Sequence, residues 1–200
     1  MVNLRRLDLG PGLQAEGDQI VDLDDQLAEM LTLRDEGKIG AIGISNIPLD
    51  VLRRALPAGI VCVQNSYGLL NRSQEELLNL CVNEGIAWVP YFPLGSSFPG
   101  FPKVSADPVA LAIAAEIGAT PSQVGLAWLL AHTPNTLLIA GTRSTSHLEE
   151  NVGAGDVVLD EEALARLDSA YNPSTDPLLG ATGMDAFLKS TEPPSPPPAA

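Results

Sequence analysis

The sequence predicts an α/β fold built on a parallel sheet, and two observations carry that expectation. Residues 2–4, 39–44, 60–63, 86–89 and 136–139 are short apolar runs, mostly β-branched, without strict polar alternation. Runs of that kind suit strands buried on both faces. Segments with helical spacing lie between the runs, and strand followed by helix, repeated, is the pattern of βα units.

The elements follow in order. The first run, with Val2 and Leu4, opens the chain almost at once and is followed by Arg5 and Arg6. "DLDDQLAEMLTLRDEG" then sets Leu23, Leu27, Met30 and Leu31 at helical spacing, with Asp22 or Asp24 as N-cap and Gly37 as a stop. "PLDVLRRAL" begins with Pro48, a good first-turn residue. "SQEELLNLCVNEG" has Ser73 three residues before Glu76, the spacing of a capping box, and ends at Gly85. "DPVALAIAAEIG" is alanine-rich and stops at Gly118, and "TPSQVGLAWLLAHT" opens with a cap and a proline, Thr120 and Pro121. "STSHLEENV" and "DEEALARLDSAY" follow the last run. Residues 1–188 read as one domain, and the proline-rich residues 189–200 as a disordered tail without core-forming side chains.

A doubly wound sheet and a (β/α) barrel both fit this order. No GxGxxG follows any of the apolar runs, which weakens a dinucleotide-binding doubly wound sheet. The runs end instead in isolated polar groups: Arg5, Ser45 and Asn46, Gln64 and Asn65, Tyr91, Thr142 and Arg143. Polar groups at the carboxyl end of every strand suit a barrel, although a full barrel needs eight strands and about 250 residues.

Composition narrows the function. With 25 acidic against 11 basic residues the net charge is −14, which disfavours nucleic-acid and anionic-membrane partners while leaving room for a local phosphate pocket. Cys62 and Cys81 are isolated and read as buried thiols, and His132 and His147 are too far apart for a short metal motif. No apolar run reaches the roughly 18–20 residues of a membrane helix, and the first dozen residues carry charges where a signal peptide needs an apolar stretch. A cytoplasmic protein is expected.

At "GKIGAIGISN", "VQNSYGLLNR", "IAWVPYFPLG" and "IAGTRSTSHLEENVGA" the chain resembles the aldo/keto reductases, with the segments in family order from about Val2 to Asp168. The resemblance implies a parallel (β/α)8 TIM barrel that binds NADP(H) at its carboxyl-terminal face, NAD(H) being the alternative. Only the fourth to eighth strands and their helices would be present here. It implies hydride transfer to the carbonyl of a small aldehyde or ketone. Ser45, Asn46 and Gln64 match the family's carboxamide-binding positions, and their side chains offer the donors and acceptors that a nicotinamide carboxamide needs. Read without the family, Asn46 is a helix cap and Gln64 a polar strand end. Tyr91 matches the ring on which nicotinamide stacks. Leu94 opens a glycine- and proline-rich loop, residues 95–107, that corresponds to the cover over the pyrophosphate, or is a plain long loop.

In "GTRSTSHLEEN" a helix begins just after the last run, where free N–H groups suit a phosphate. The family often has a lysine at the first position of this motif for the 2′-phosphate. Here that position is Gly141, followed by Thr142 and by Arg143, which suits the pairing instead. His147 falls where the family arginine stacks on adenine, and Glu150 and Asn151 match the adenine-amide contacts. The departures at Gly141 and His147 leave the choice of NADP over NAD open.

The family's catalytic aspartate, tyrosine and lysine precede its fourth strand and have no counterpart here; Tyr67, Tyr171 and Lys103 do not match them. Arg5 falls where the family has its catalytic histidine. Arginine can stabilise a developing oxyanion or hold a carboxylate but does not shuttle a proton, and its plain structural reading is a rim ion pair with Asp8. Met1 therefore reads as internal to a longer frame, or the chain as an inactive truncated copy or a non-catalytic NADP(H)-binding or regulatory module. Unpaired strand edges would favour self-association. Leu178, Leu179, Met184 and Phe187, in a carboxyl-terminal loop of residues 172–188, read as packing residues under the barrel or as the lining of an apolar pocket, with packing favoured.

Overall fold

The structure, a computed structural model, describes residues 1–5, 17, 20–96 and 101–176. Four strands, β1 (Val2–Arg5), β2 (Ile42–Ser45), β3 (Ile60–Gln64) and β4 (Ala87–Trp88), form one parallel sheet in chain order. Helices α1 (Leu23–Asp35), α2 (Leu49–Ala55) and α3 (Glu75–Asn83) connect successive strands. After β4 come α4 (Pro108–Ile117), α5 (Pro121–His132), α6 (Thr145–Gly153) and α7 (Glu161–Asp168). A right-handed strand–helix–strand path returns each strand parallel to the last, so every strand ends at the same edge.

Register sets the core. Leu4, Ile44, Val63 and Trp88 are matched across the four strands, and Ile44, Val63 and Trp88 have no exposed surface. Leu23 and Leu27 of α1, Leu52 of α2, Leu77 and Leu78 of α3 and Leu126 and Trp128 of α5 are buried in the same cluster. Apolar burial of this kind outweighs intrinsic helix propensity in short helices.

Local signals account for several boundaries. The Asp22 side chain caps α1 by accepting from Asp24 N at 2.8 Å. Thr120 and Gln123 close a reciprocal capping box around Pro121 at the start of α5. Gly118 ends α4 at φ 69°.

Two expectations are corrected. The expected fifth strand, residues 136–139, yields an isolated bridge between Thr136 and Trp88. Leu137 N donates to Trp88 O at 2.8 Å, but the next bond to that side would need an N–H from residue 90, and Pro90 has none. Leu137 and Ile139 are 60% and 40% exposed, so the run is not buried on both faces. The Ser73–Glu76 capping box also does not form. Ser73 Oγ is hydrogen-bonded to the Asn71 side-chain amide at 3.1 Å, and α3 begins after Gln74 without a side-chain cap.

Asp8, the expected partner of Arg5, lies outside the described residues, as do Leu178, Leu179, Met184, Phe187 and residues 189–200. Among the described residues no single helix is long and apolar enough to cross a membrane.

Candidate functional site

The site gathers at the carboxyl ends of the strands. Arg5, Ser45 and Gln64 are register partners on β1, β2 and β3, so one row of polar side chains crosses the sheet there. The row continues back along the strands: Asn3 Nδ2 donates to Gln64 Oε1 at 3.0 Å, and Cys62 Sγ donates to Asn3 Oδ1 at 3.3 Å. Sequence reasoning missed Asn3. Its signal was the two-residue spacing from Arg5, which puts both on one face of a strand.

The chain just past β2 and β3 is tied down by amides. Asn46 is buried at φ 57°, a left-handed conformation that asparagine tolerates, and its backbone N donates to Gln64 O at 3.1 Å. Asn65, expected only as a polar strand end, clamps the same turn: its Oδ1 accepts from Ile47 N at 3.2 Å and its Nδ2 donates to Ile47 O at 2.8 Å. The helix after β2 starts at Leu49, with Pro48 in the N-cap position and no side-chain cap, so Asn46 is not its cap. Its Oδ1 instead accepts from the Tyr91 hydroxyl.

Tyr91 lies just beyond β4, bridged to Ser66, with its N donating to Asn65 O at 3.0 Å. Burial pushes its hydroxyl up to about 12 against the opposing charge of Arg5, so it stays protonated at neutral pH. Tyr91, Leu94, Gly95, Ile139 and Gly141 line one cleft of about 420 Å³. The covering loop is packed where it is described: Val104 N donates to Leu94 O at 3.2 Å, and Phe101 is buried against Phe92.

From Gly141 the chain runs over the surface into α6. Thr142 Oγ1 accepts from Ser144 N at 3.1 Å, and Ser144 caps α6. Thr142, Arg143 and His147 are exposed and Asn151 is half-buried. Glu150 has a structural duty: its carboxylate accepts from Thr120 Oγ1, and its carbonyl accepts from Gln123 Nε2 at 3.1 Å, fastening α6 to the start of α5. The structure thus brings Arg5, Ser45, Asn46, Gln64 and Tyr91 to one sheet end and connects Tyr91 to Leu94 and Gly141 through the cleft.

A second polar cluster joins the loop after β3 to α3 and α5. Tyr67 Oη meets Glu75 Oε2 and, at 2.9 Å, His132 Nε2, which also lies 2.9 Å from Glu75 Oε1. Burial and the neighbouring glutamate push the Tyr67 hydroxyl far above its ordinary range. Among the described residues no group of three or more histidine, cysteine, aspartate or glutamate side chains is placed to hold a metal ion.

Comparison with known proteins agrees with this architecture. The model of the Aldo/keto reductase family matches residues 15–172, and the chain belongs to that family. It is 41% identical over 170 residues to the pyridoxine 4-dehydrogenase of Escherichia coli, covering 84% of this chain and 56% of that protein. It is 36% identical over 154 residues to an uncharacterized oxidoreductase of Schizosaccharomyces pombe, covering 76% and 48%. The chain therefore spans about half the length of these curated relatives. Among solved structures, the thermostable aldo-keto reductase Tm1743, crystallised with the inhibitor epalrestat, superimposes with a TM-score of 0.65 at 31% identity, over 75% of this chain and 55% of that one. The aldose reductase of Giardia lamblia, at 24% identity and a TM-score of 0.68 over 75% and 50%, supports the fold alone.

The donor set suits a carboxamide-bearing cofactor. Among the described residues Ser45 Oγ and Gln64 Nε2 make no hydrogen bond, while Gln64 Oε1 is already taken by Asn3. Free hydrogen-bonding groups of that kind, beside an aromatic ring and a cleft, are what a planar amide-substituted ring needs.

Proposed function

We propose that the chain carries the cofactor-binding side of an NADP(H)-dependent aldo/keto reductase acting on an aldehyde or ketone carbonyl. The observation that carries this reading is the in-register row of Arg5, Ser45 and Gln64 beside Tyr91, whose cleft leads to Gly141. A reduced nicotinamide bound there supplies the hydride. Ser45, Asn46 and Gln64 hold its carboxamide, and the Tyr91 ring fixes the face it presents, a positioning effect. Leu94 and Gly141 border the phosphates, with Thr142 and the start of α6 offering donors to them. Arg143 pairs with the 2′-phosphate in place of the family lysine, and His147, Glu150 and Asn151 border the adenine. NAD(H) is the weaker candidate because the exposed Arg143 charge favours the extra phosphate.

Arg5 supports a role in holding negative charge on the substrate oxygen. It exchanges no proton, and Tyr67 is unsuited to act as general acid because its hydroxyl is committed to Glu75 and His132. A specific observation therefore favours a second reading, a non-catalytic NADP(H)-binding or regulatory module: arginine stands at the family histidine position. The relative named a pyridoxine 4-dehydrogenase makes pyridoxine and its aldehyde the first substrate pair to test.

Fluorescence titration of NADPH into the full chain tests the cofactor assignment. Saturable binding is expected, weakened about tenfold by Gln64→Leu, the worth of one hydrogen bond. Arg143→Ala is expected to weaken NADPH while sparing NADH. A folded sample with no saturable change overturns the assignment. Turnover of the aldehyde by this chain would overturn the second reading.

A further inference from the structure

Asn3 and Arg5 lie two residues apart on β1, so their side chains project to the same side of the sheet. Register sets Asn3 against Gly43 on β2, and Gly43 against Cys62 on β3. The Asn3 side chain passes over β2 and reaches β3 because residue 43 has no side chain. A Cβ there would lie 1.8 Å from Asn3 Oδ1 and 2.8 Å from Cys62 Sγ.

The two ends of the Asn3 amide meet different partners. Cys62 Sγ donates to Oδ1 at 3.3 Å, and Nδ2 donates to Gln64 Oε1 at 3.0 Å. Cys62 is buried, and burial pushes its thiol up, so it remains protonated and able to donate. A donor at that end orients Asn3 with its oxygen toward the thiol and its NH2 toward Gln64. Gln64 Oε1 is then engaged, and no described residue takes up Gln64 Nε2.

We propose that Asn3 is a positioning residue that sets the polarity of Gln64, so that the site presents an N–H donor to an acceptor oxygen on its ligand. This rests on the reading that Gln64 meets the carboxamide of a nicotinamide cofactor. The carboxamide then turns its oxygen to Gln64 and its NH2 away. A carboxamide can rotate if the polarity of Gln64 is reversed. The acetyl group of the 3-acetylpyridine analogue cannot compensate in that way, because it has an acceptor and no N–H.

Asn3→Asp tests this directly. Its carboxylate only accepts, so it draws Gln64 Nε2 toward itself and turns Oε1 to the ligand. Dissociation constants are measured by fluorescence for NADPH and for the reduced 3-acetylpyridine analogue, on chains whose circular dichroism shows a native fold. The ratio of the analogue's constant to that of NADPH is expected to rise about tenfold in Asn3→Asp, the worth of one hydrogen bond. Asn3→Leu, which removes the donor without adding charge, is expected to raise it about threefold; this variant decides the matter if Asn3→Asp does not fold. An unchanged ratio, with Gln64→Leu still weakening NADPH, overturns the role of Asn3 and leaves the cofactor reading standing. If Gln64→Leu leaves both constants unchanged, the cofactor reading fails and the proposal falls with it.

Discussion

The Tyr91 hydroxyl donates to Asn46 Oδ1, joining the residue just past β4 to the residue just past β2. The bond spans β3 at the edge where Arg5, Ser45 and Gln64 end their strands, and it holds the aromatic ring in one orientation. Ring and hydroxyl have separable duties. Tyr91→Phe keeps the ring and loses the hydrogen bond, which is expected to cost about 1 kcal/mol of stability in urea denaturation and little NADPH affinity. Tyr91→Ala removes the stacking surface, and NADPH affinity is expected to fall about tenfold. Equal affinities for the two variants would remove the ring from the cofactor site.

Gly95 contributes to the cleft through backbone alone. It stands at φ 94°, and a Cβ on it would lie 2.2 Å from the Pro102 carbonyl oxygen. That oxygen belongs to backbone, so it has no rotamer by which to yield. Gly95→Ala is expected to cost about 3 kcal/mol through strain and overlap together. Gly141→Ala lines the same cleft with nothing within 4 Å of the added carbon, and its melting temperature is expected to match the parent.

Much of the sheet was readable because runs such as residues 60–63 and 86–89 are apolar in themselves, and a buried parallel strand needs little else. Residues 136–139 show where that reasoning fails. A strand exists only with a ladder partner, and the partner's continuation is lost at Pro90, far off in sequence. The Thr120 cap was legible because threonine before proline marks a helix start, and the structure adds Gln123 as the other half of a reciprocal box. The similar spacing of Ser73 and Glu76 misled because Asn71 competes for the serine hydroxyl. In the candidate site, Ser45, Asn46, Gln64 and Tyr91 were named by motif, whereas Asn3 offered only its two-residue spacing from Arg5. Its role depends on the missing side chain of Gly43, two strands' register and a contact 61 residues away.

The cluster of Tyr67, Glu75 and His132 makes a pH-dependent contribution to stability. Burial on its own would raise the Glu75 carboxyl, but hydrogen bonds from His132 and Tyr67, with the charges of His132 and Arg72, outweigh it and hold it below the usual carboxylate range. A folded value below the unfolded value means that the stabilisation is present above the unfolded glutamate value of about 4.3. It is lost as pH falls through the folded value. The full chain is therefore expected to lose stability on acidification below about pH 4.3 more steeply than Glu75→Gln does. Urea midpoints measured between neutral and acid pH check this, and parallel curves for the two proteins would contradict it.

Arg72 joins α7 to the loop after β3. Its guanidinium carbon lies 4.2 Å from the Trp128 ring centroid and 5.5 Å from that of Tyr171. Its side-chain nitrogens donate to Leu69 O at 3.2 Å, Leu167 O at 3.3 Å and Asp168 Oδ1 at 3.1 Å. Trp128 Nε1 donates to the same Asp168 oxygen at 3.0 Å, so ring, guanidinium and carboxylate form one unit. The Arg72 side chain is only 11% exposed, which sets it apart from a surface ion pair. Arg72→Ala loses the stacking and leaves part-buried carbonyls unpaired, at an expected cost of about 3 kcal/mol. Arg72→Lys keeps the charge but has neither the planar face nor the fork of donors, and is expected to recover less than half of that loss. Combined with Trp128→Phe in a double-mutant cycle, Arg72→Ala is expected to show a coupling of about 1 kcal/mol, because the two groups share Asp168 and each other's faces. A lysine variant as stable as the parent in urea denaturation would show that charge alone holds the helix, and that the planar geometry does not matter.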